Sequence, residues 1–226
     1  MPLLNSRIII FATISLAFYA YSSDSTLSYG GKTYKTVKIG KQTWMAENLN
    51  YETEGSVCYG EGGEVIISGS PRLEPMATKT LTDKEVQANC AKYGRLYDWP
   101  TAKKICPKGW HLPSNAEWSE LYLFVDGEKD SKNYYRSSEA GRHLKATGGW
   151  HFDEKYYGYG NGTDGYGFSA LPGGMGHLEG GFYNGGYVGY WWNSNAYLQY
   201  ISCSDESAGW RYIMMFTLNS VRCLKD

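Results

Sequence analysis

The segment Cys106-Pro-Lys-Gly-Trp-His-Leu-Pro-Ser-Asn-Ala-Glu-Trp118 constrains the fold most, because a cysteine, two tryptophans and a helix start fall within it. Ser114 and Glu117 have the spacing of a capping box, in which hydroxyl and carboxylate each take a backbone N–H that the first helical turn leaves over. Trp118, Leu121, Tyr122 and Val125 then recur at i, i+3, i+4 and i+7, which gives one apolar face turned inward. Thr82 with Glu85 repeats the device ahead of Val86, Cys90 and Tyr93, and Gly94 supplies the stop. Trp99 to Lys104 adds a short helical turn around Pro100. Ser138 to Ala146 reads as another short helix, with Ala140 and Leu144 inward and Gly148-Gly149 ending it.

The remainder reads as β structure and loops. With 21 Tyr, 8 Trp and 28 Gly beside a modest aliphatic content, rings must fill a core that Leu and Ile fill elsewhere, and glycine punctuates short strands. Tyr34 to Ile39 and Gln42 to Met45 flank Gly40-Lys41, a hairpin turn signal. Glu61 to Thr80 is polar and weakly patterned, as in a surface loop. From Trp150 to Trp192 glycines alternate with aromatics in a loop-rich β pattern. Tyr197 to Cys203 and Trp210 to Cys223 form two strand-like runs, the second alternating imperfectly, as a strand covered on both faces does. The fold class is α+β.

Residues 1–22 carry Arg7, an apolar run from Ile8 to Tyr21 and the small residues Ala20 and Ser22, the outline of a secretory signal peptide. The run is shorter than the roughly 20 residues of a membrane-spanning helix, so no membrane span is expected in the mature chain. The remaining chain has no Pro- or Ser-rich linker and is read as one domain. A net charge of −1, from 22 basic and 23 acidic residues, gives no electrostatic reason for a nucleic acid partner.

A set of motifs in one order carries a resemblance to a known family. They are Ile39-Gly-Lys-Gln-Thr-Trp-Met-Ala-Glu-Asn-Leu-Asn50, Tyr93-Gly-Arg-Leu-Tyr-Asp-Trp99, the Cys106 to Trp118 segment, Leu144-Lys-Ala-Thr-Gly-Gly-Trp150, Gly162 to Gly174, Gly189-Tyr-Trp-Trp-Asn-Ser194 and Ser220-Val-Arg-Cys223. Together they resemble the Fibrobacter succinogenes major paralogous domain, a group of secreted bacterial proteins, over residues 29–226. The resemblance implies a C-type-lectin-like fold, distantly similar also to formylglycine-generating enzymes: short twisted antiparallel sheets, a few helices and long structured loops. It implies a place outside the cytoplasm, secreted or in the cell envelope, and no particular activity. The C-terminal strands are expected beside the N-terminal hairpin.

Five cysteines in an exported chain suggest two disulfides and one cysteine over, and the sequence leaves the pairing open. The expected pairs are Cys58 with Cys90 and Cys106 with Cys223, the second tying the central helical region to the C-terminal strand as the resemblance to lectin-like folds implies. Cys203 then reads as a buried thiol in a strand. His111, His143, His151 and His177 make no zinc-binding spacing.

Catalysis has little to stand on. A formylglycine-type oxidase needs a close cysteine pair, whereas Cys203 and Cys223 are far apart in sequence. A glycosidase needs two facing carboxylates; Asp153, Asp164, Glu179 and Asp205 are present, but no spacing singles out a pair. The expectation is therefore a noncatalytic binding or adhesion module whose partner is a polysaccharide or an envelope protein. Exposed rings with fixed Asn and Asp suit sugars, which places candidate ligand contacts at Tyr183, Tyr187, Tyr190, Trp191, Trp192, Asn193 and Asp164. Asp164 and Asn161 also have the oxygens for a calcium ion. Trp191-Trp192-Asn193 resembles the Trp-Asn-Asp triplet of sugar-binding C-type lectins, with Ser194 where the carboxylate would stand.

Overall fold

A computed structural model describes residues 25–67, 77–126, 136–152, 159–212 and 215–226; the expected signal peptide at 1–22 lies outside them. In chain order the strands are β1 (Ser25–Tyr29), β2 (Lys32–Ile39), β3 (Gln42–Met45), β4 (Ser56–Val57), β5 (Glu64–Ile67), β6 (Ala77–Thr80), β7 (Leu96–Tyr97), β8 (Trp110–His111) and β9 (Arg136–Ser137). They continue with β10 (Met175–His177), β11 (Phe182–Tyr183), β12 (Val188–Trp192), β13 (Tyr197–Ser202), β14 (Ala208–Tyr212), β15 (Thr217–Ser220) and β16 (Leu224–Lys225). The helices are α1 (Asp83–Tyr93), α2 (Trp99–Ala102), α3 (Asn115–Asp126) and α4 (Ala140–Leu144). This is a sheet-rich α+β architecture.

The helix starts follow their capping chemistry. Thr82 and Glu85 exchange hydrogen bonds at the head of α1, and Gly94 ends it at a φ of 76° that a Cβ would disfavour. Ser114 and Glu117 do the same for α3. Its Trp118, Leu121, Tyr122 and Val125 are all buried.

Two sheets share the chain. The smaller has the order β1-β2-β3-β16-β8, so Leu224 of the last strand pairs with Trp44 on one side and His111 on the other. The larger follows β6-β5-β11-β10-β15-β12-β13-β14-β9, with β7 pairing β15 and β4 pairing β7. Its pairings are antiparallel except β5 with β11 and β12 with β15. Three expectations change. β1 extends the opening hairpin to a three-strand meander. Part of the expected 61–80 loop is the β5–β6 hairpin, where Val65 packs on a small cluster with Tyr59, Leu96, Phe182 and Leu218. The expected single strand over 210–223 is two strands, β14 and β15, separated in the sheet by β13 and β12.

Both disulfides form between distant elements. Cys58–Cys90 ties the β4 segment to α1 across 32 residues, and Cys106–Cys223 ties the segment after α2 to the lead-in of β16 across 117. On the loop-entropy model each contributes roughly 3–5 kcal/mol. Cys203 is buried and outside both bridges.

The core is aromatic. Trp44 and Trp118 meet at a centroid distance of 4.7 Å, with Phe168 5.7 Å from the first and Trp191 6.2 Å from the second. Beside them lies a guanidinium: Arg222 is 1 % exposed, with its Cζ 4.2 Å from the Phe168 ring centroid. It donates to Asn48 Oδ1 at 3.1 Å, to the Ser169 carbonyl at 3.2 Å and to the Phe168 carbonyl. Burial lowers its pKa to about 9. The same Asn48 oxygen accepts from Trp191 Nε1 at 2.8 Å, while its amide nitrogen serves the Tyr93 carbonyl and Ser220 Oγ.

Asn48→Ala strips acceptors from a buried cation and a buried indole at once. Loss of about 3–5 kcal/mol is expected, read as a lower urea midpoint with the m-value unchanged. A variant within 1 kcal/mol of the parent would show that the site relaxes around the lost amide.

Candidate functional site

Strand β12 runs through the middle of the larger sheet, between β15 and β13, and is covered on both faces. Alternation therefore sends Trp191 into the core cluster with Trp44, Trp118 and Phe168, and Tyr190 and Trp192 into the opposite cluster with Met45, Tyr97 and Leu112. Trp191, Trp192 and Asn193 are 0 % exposed and Tyr190 is 3 % exposed. The expected platform of these rings is not at the surface: in a chain with few aliphatics they are the core. Trp192 Nε1 donates to the Tyr97 carbonyl at 2.7 Å. Asn193 shapes the β12–β13 turn, its Oδ1 accepting from the Asn195 and Tyr197 amides and its Nδ2 donating to Asn115 at the start of α3.

The other expected contacts are half-buried and dispersed. Tyr183 lies in β11. Tyr187 stacks on His151, with centroids 4.4 Å apart. Asp164, at φ 46°, accepts from Ser169 through both oxygens, from the amide at 2.7 Å and the hydroxyl at 2.6 Å. Asn161 Oδ1 takes the Trp150 amide. These oxygens hold turns, and among the described residues no group of three or more His, Cys, Asp or Glu side chains is placed to hold a metal.

A different set of rings reaches solvent where β13 begins and β14 ends. Tyr197 pairs with Tyr212 across the two strands, and Gln199 with Trp210. On this face Tyr197 contacts Trp210 edge-on at 4.8 Å and Tyr212 at 6.0 Å. Tyr212 is 75 % exposed; Trp210 and Tyr197 are half-buried. On the other face of β14, Arg211 is exposed, its Cζ 4.8 Å from the Tyr190 ring centroid and 5.7 Å from that of Tyr200. Tyr190 and Tyr200 are direct partners across β12 and β13, and Gly209 opposite Tyr200 leaves that ring uncovered by a side chain of its own. The Tyr190 hydroxyl accepts from Asn184 Nδ2 at 3.1 Å. None of Tyr197, Trp210, Arg211 and Tyr212 is among the expected contacts. The charge of Arg211 in the middle of an apolar run is the sequence sign that this strand opens to water.

Asp205 accepts from Ser207 through amide and hydroxyl, Glu179 is exposed in the β10–β11 turn, and Asp153 lies outside the described residues. Cys223 is held by Cys106. One histidine sits between two carboxylates: His111 Nδ1 is 2.7 Å from Asp226 Oδ1 and Nε2 is 2.9 Å from Glu117 Oε1. Glu117 is the cap of α3, so this group fastens β8 and β16 to a helix start.

Burial alone lowers the His111 pKa, but the hydrogen bonds and charges of Asp226 and Glu117 outweigh it and raise it. For Glu117, burial is outweighed by the Ser114 and His111 hydrogen bonds, and its pKa is lowered. The His111 contribution to stability is thus complete below its ordinary value of 6.5 and fades as pH rises through the higher folded one; that of Glu117 is complete above 4.5 and fades on acidification. Because His111 is 38 % exposed, screening keeps the effect small. From about pH 6 to 8 the parent's Tm should fall roughly 1–2 °C further than that of His111→Gln, by scanning calorimetry at constant ionic strength. Parallel curves would remove His111 as the source.

No curated protein and no solved structure matches the chain. The family model described as the Fibrobacter succinogenes major domain matches residues 37–225, which span β3, the helices and both disulfides. The protein belongs to the Fibrobacter succinogenes major domain family.

Proposed function

We propose that the protein is a noncatalytic binding module of the cell envelope, built on a C-type-lectin-like fold, that recognises polysaccharide through the Tyr197, Trp210 and Tyr212 surface. The observation that carries this reading is the exposure of Tyr212, greater than that of Phe124, Phe152, Tyr159 or Phe216, beside two further rings. Rings grouped at one exposed strand end offer flat apolar faces to the CH faces of sugars. Family membership supports a paralogous surface domain. Two disulfides suit an oxidising compartment, and no described helix is long and apolar enough to cross a membrane. Commitment of Asp164 and Asp205 to turns favours binding over hydrolysis.

The burial of Trp191 and Trp192 favours a second reading, a structural surface protein with no glycan site. Retention of the oxidised chain on insoluble cellulose, xylan and peptidoglycan separates the two. The binding reading expects retention by the parent and a drop of tenfold or more for Trp210→Ala with Tyr212→Ala, with circular dichroism unchanged. Trp191→Ala should instead lose about 3–5 kcal/mol of stability, because it opens the core. A folded parent that stays in the supernatant with every polymer would defeat the binding reading and leave the structural one.

A further inference from the structure

Tyr197, Trp210 and Tyr212 share one face of β13 and β14, because Tyr197 and Tyr212 are direct cross-strand partners and Trp210 stands two residues before Tyr212. They do not share a plane. Tyr197, the ring that contacts both others, is inclined at 62° to Trp210 and at 68° to Tyr212. An aromatic ring stacks on a sugar where the two faces lie nearly parallel. A pyranose lying on Tyr197 is therefore turned steeply from one lying on either neighbour.

The set is also narrow and has a polar end. Gln199, the partner of Trp210 in β13, is 0 % exposed and fastened to α3, its Oε1 accepting from the Tyr122 hydroxyl at 3.0 Å and its Nε2 donating to Asn115 Oδ1 at 2.7 Å. Helix α3 thus closes this face beside the rings. Asn195 is exposed two residues before Tyr197, in the β12–β13 turn. Its Oδ1 accepts from the Asn115 amide at 2.9 Å, which fixes the side chain and leaves Nδ2 a donor with no acceptor among the described residues.

The face of a crystalline polysaccharide is a plane of parallel chains, and three rings can lie on it together only if they are coplanar. A chain free of its neighbours turns about its own axis from one unit to the next, so its sugar faces look in different directions. Its hydroxyl groups are also released from adjoining chains and can accept a hydrogen bond. Inclined rings beside a fixed amide donor match the second form and not the first.

We infer that the corner formed by Tyr197, Trp210, Tyr212 and Asn195 takes a single glycan chain, as in dissolved or amorphous polymer, and discriminates against the same polymer in crystalline form. This rests on the glycan-binding reading above and names the physical form of the ligand within it.

The test offers the oxidised chain cellulose and xylan, each as crystallites and as swollen or dissolved chains, so that chemistry is held constant while packing changes. Binding to the loose form of either polymer should be about tenfold tighter, or more, than to its crystallites. Tyr197→Leu keeps apolar bulk but removes the inclined ring, and should weaken loose-chain binding roughly tenfold with circular dichroism unchanged. Asn195→Asp keeps the bond to α3 but has no outward donor, and should weaken it roughly threefold or more. Crystallites bound as tightly as loose chains would overturn the inference while leaving glycan binding intact. Parental affinity in Tyr197→Leu or in Asn195→Asp would overturn it too. So would a folded parent that binds neither polymer in either form; retention on peptidoglycan would then leave the reading beneath standing, and its absence would remove that reading as well.

Discussion

The fold is organised around a charge that has been taken out of water with no contacting ion pair among the described residues, the Asp164 and Glu47 carboxylates acting on it only from a distance. Arg222 is held by neutral oxygens alone, from Asn48, Phe168 and Ser169. A buried cation tolerates such a setting only while every acceptor stays in place, because the cost of an unmet guanidinium is several kcal/mol. The acceptors come from far apart in the chain: one follows β3, two end the glycine-rich 162–169 loop, and the cation itself sits between β15 and β16. Asn48 adds the central strand through the Trp191 indole. Each segment is thereby positioned against the others by one group, and a displacement of any of them exposes the same electrostatic penalty.

Asp164 acquires its meaning in this frame. Its two oxygens fix Ser169, at φ 52°, and Ser169 in turn presents the carbonyl that Arg222 needs. A carboxylate in a glycine-rich loop, attractive as a ligand group from its chemistry alone, is here a second layer of support for the core. Lys145 is treated similarly. Its ammonium is buried and bonded to the Ser202 and Asp205 carbonyls, and burial lowers its pKa.

What could be read from the sequence were features decided within a few residues. Capping boxes at Thr82 and Ser114 and the i, i+3, i+4 face of Trp118 to Val125 are local, and they appear as expected. The Gly40 turn, at φ 59°, joins β2 to β3. What could not be read depends on neighbours remote in sequence. Whether Trp191 lines a surface or a core turns on β12 having β13 and β15 on either side and packed clusters above and below. A Trp-Trp pair in a strand looks the same in both cases. The apolar run after Trp210 likewise hides a break between two strands, and only Arg211 hints that one side is wet.

The place of β16 bears on how such a chain is made. The last strand in the sequence sits between β3, near the start, and β8, in the middle, and Cys223 just ahead of it meets Cys106. A polypeptide emerging from its N-terminus onward can form the β1–β2–β3 meander early, but that meander keeps an open edge at β3, with Trp44 and Met45 uncovered, until the final residues arrive. Contacts of such long sequence separation form late. During synthesis the exposed edge is therefore the point at which two nascent copies would pair with each other.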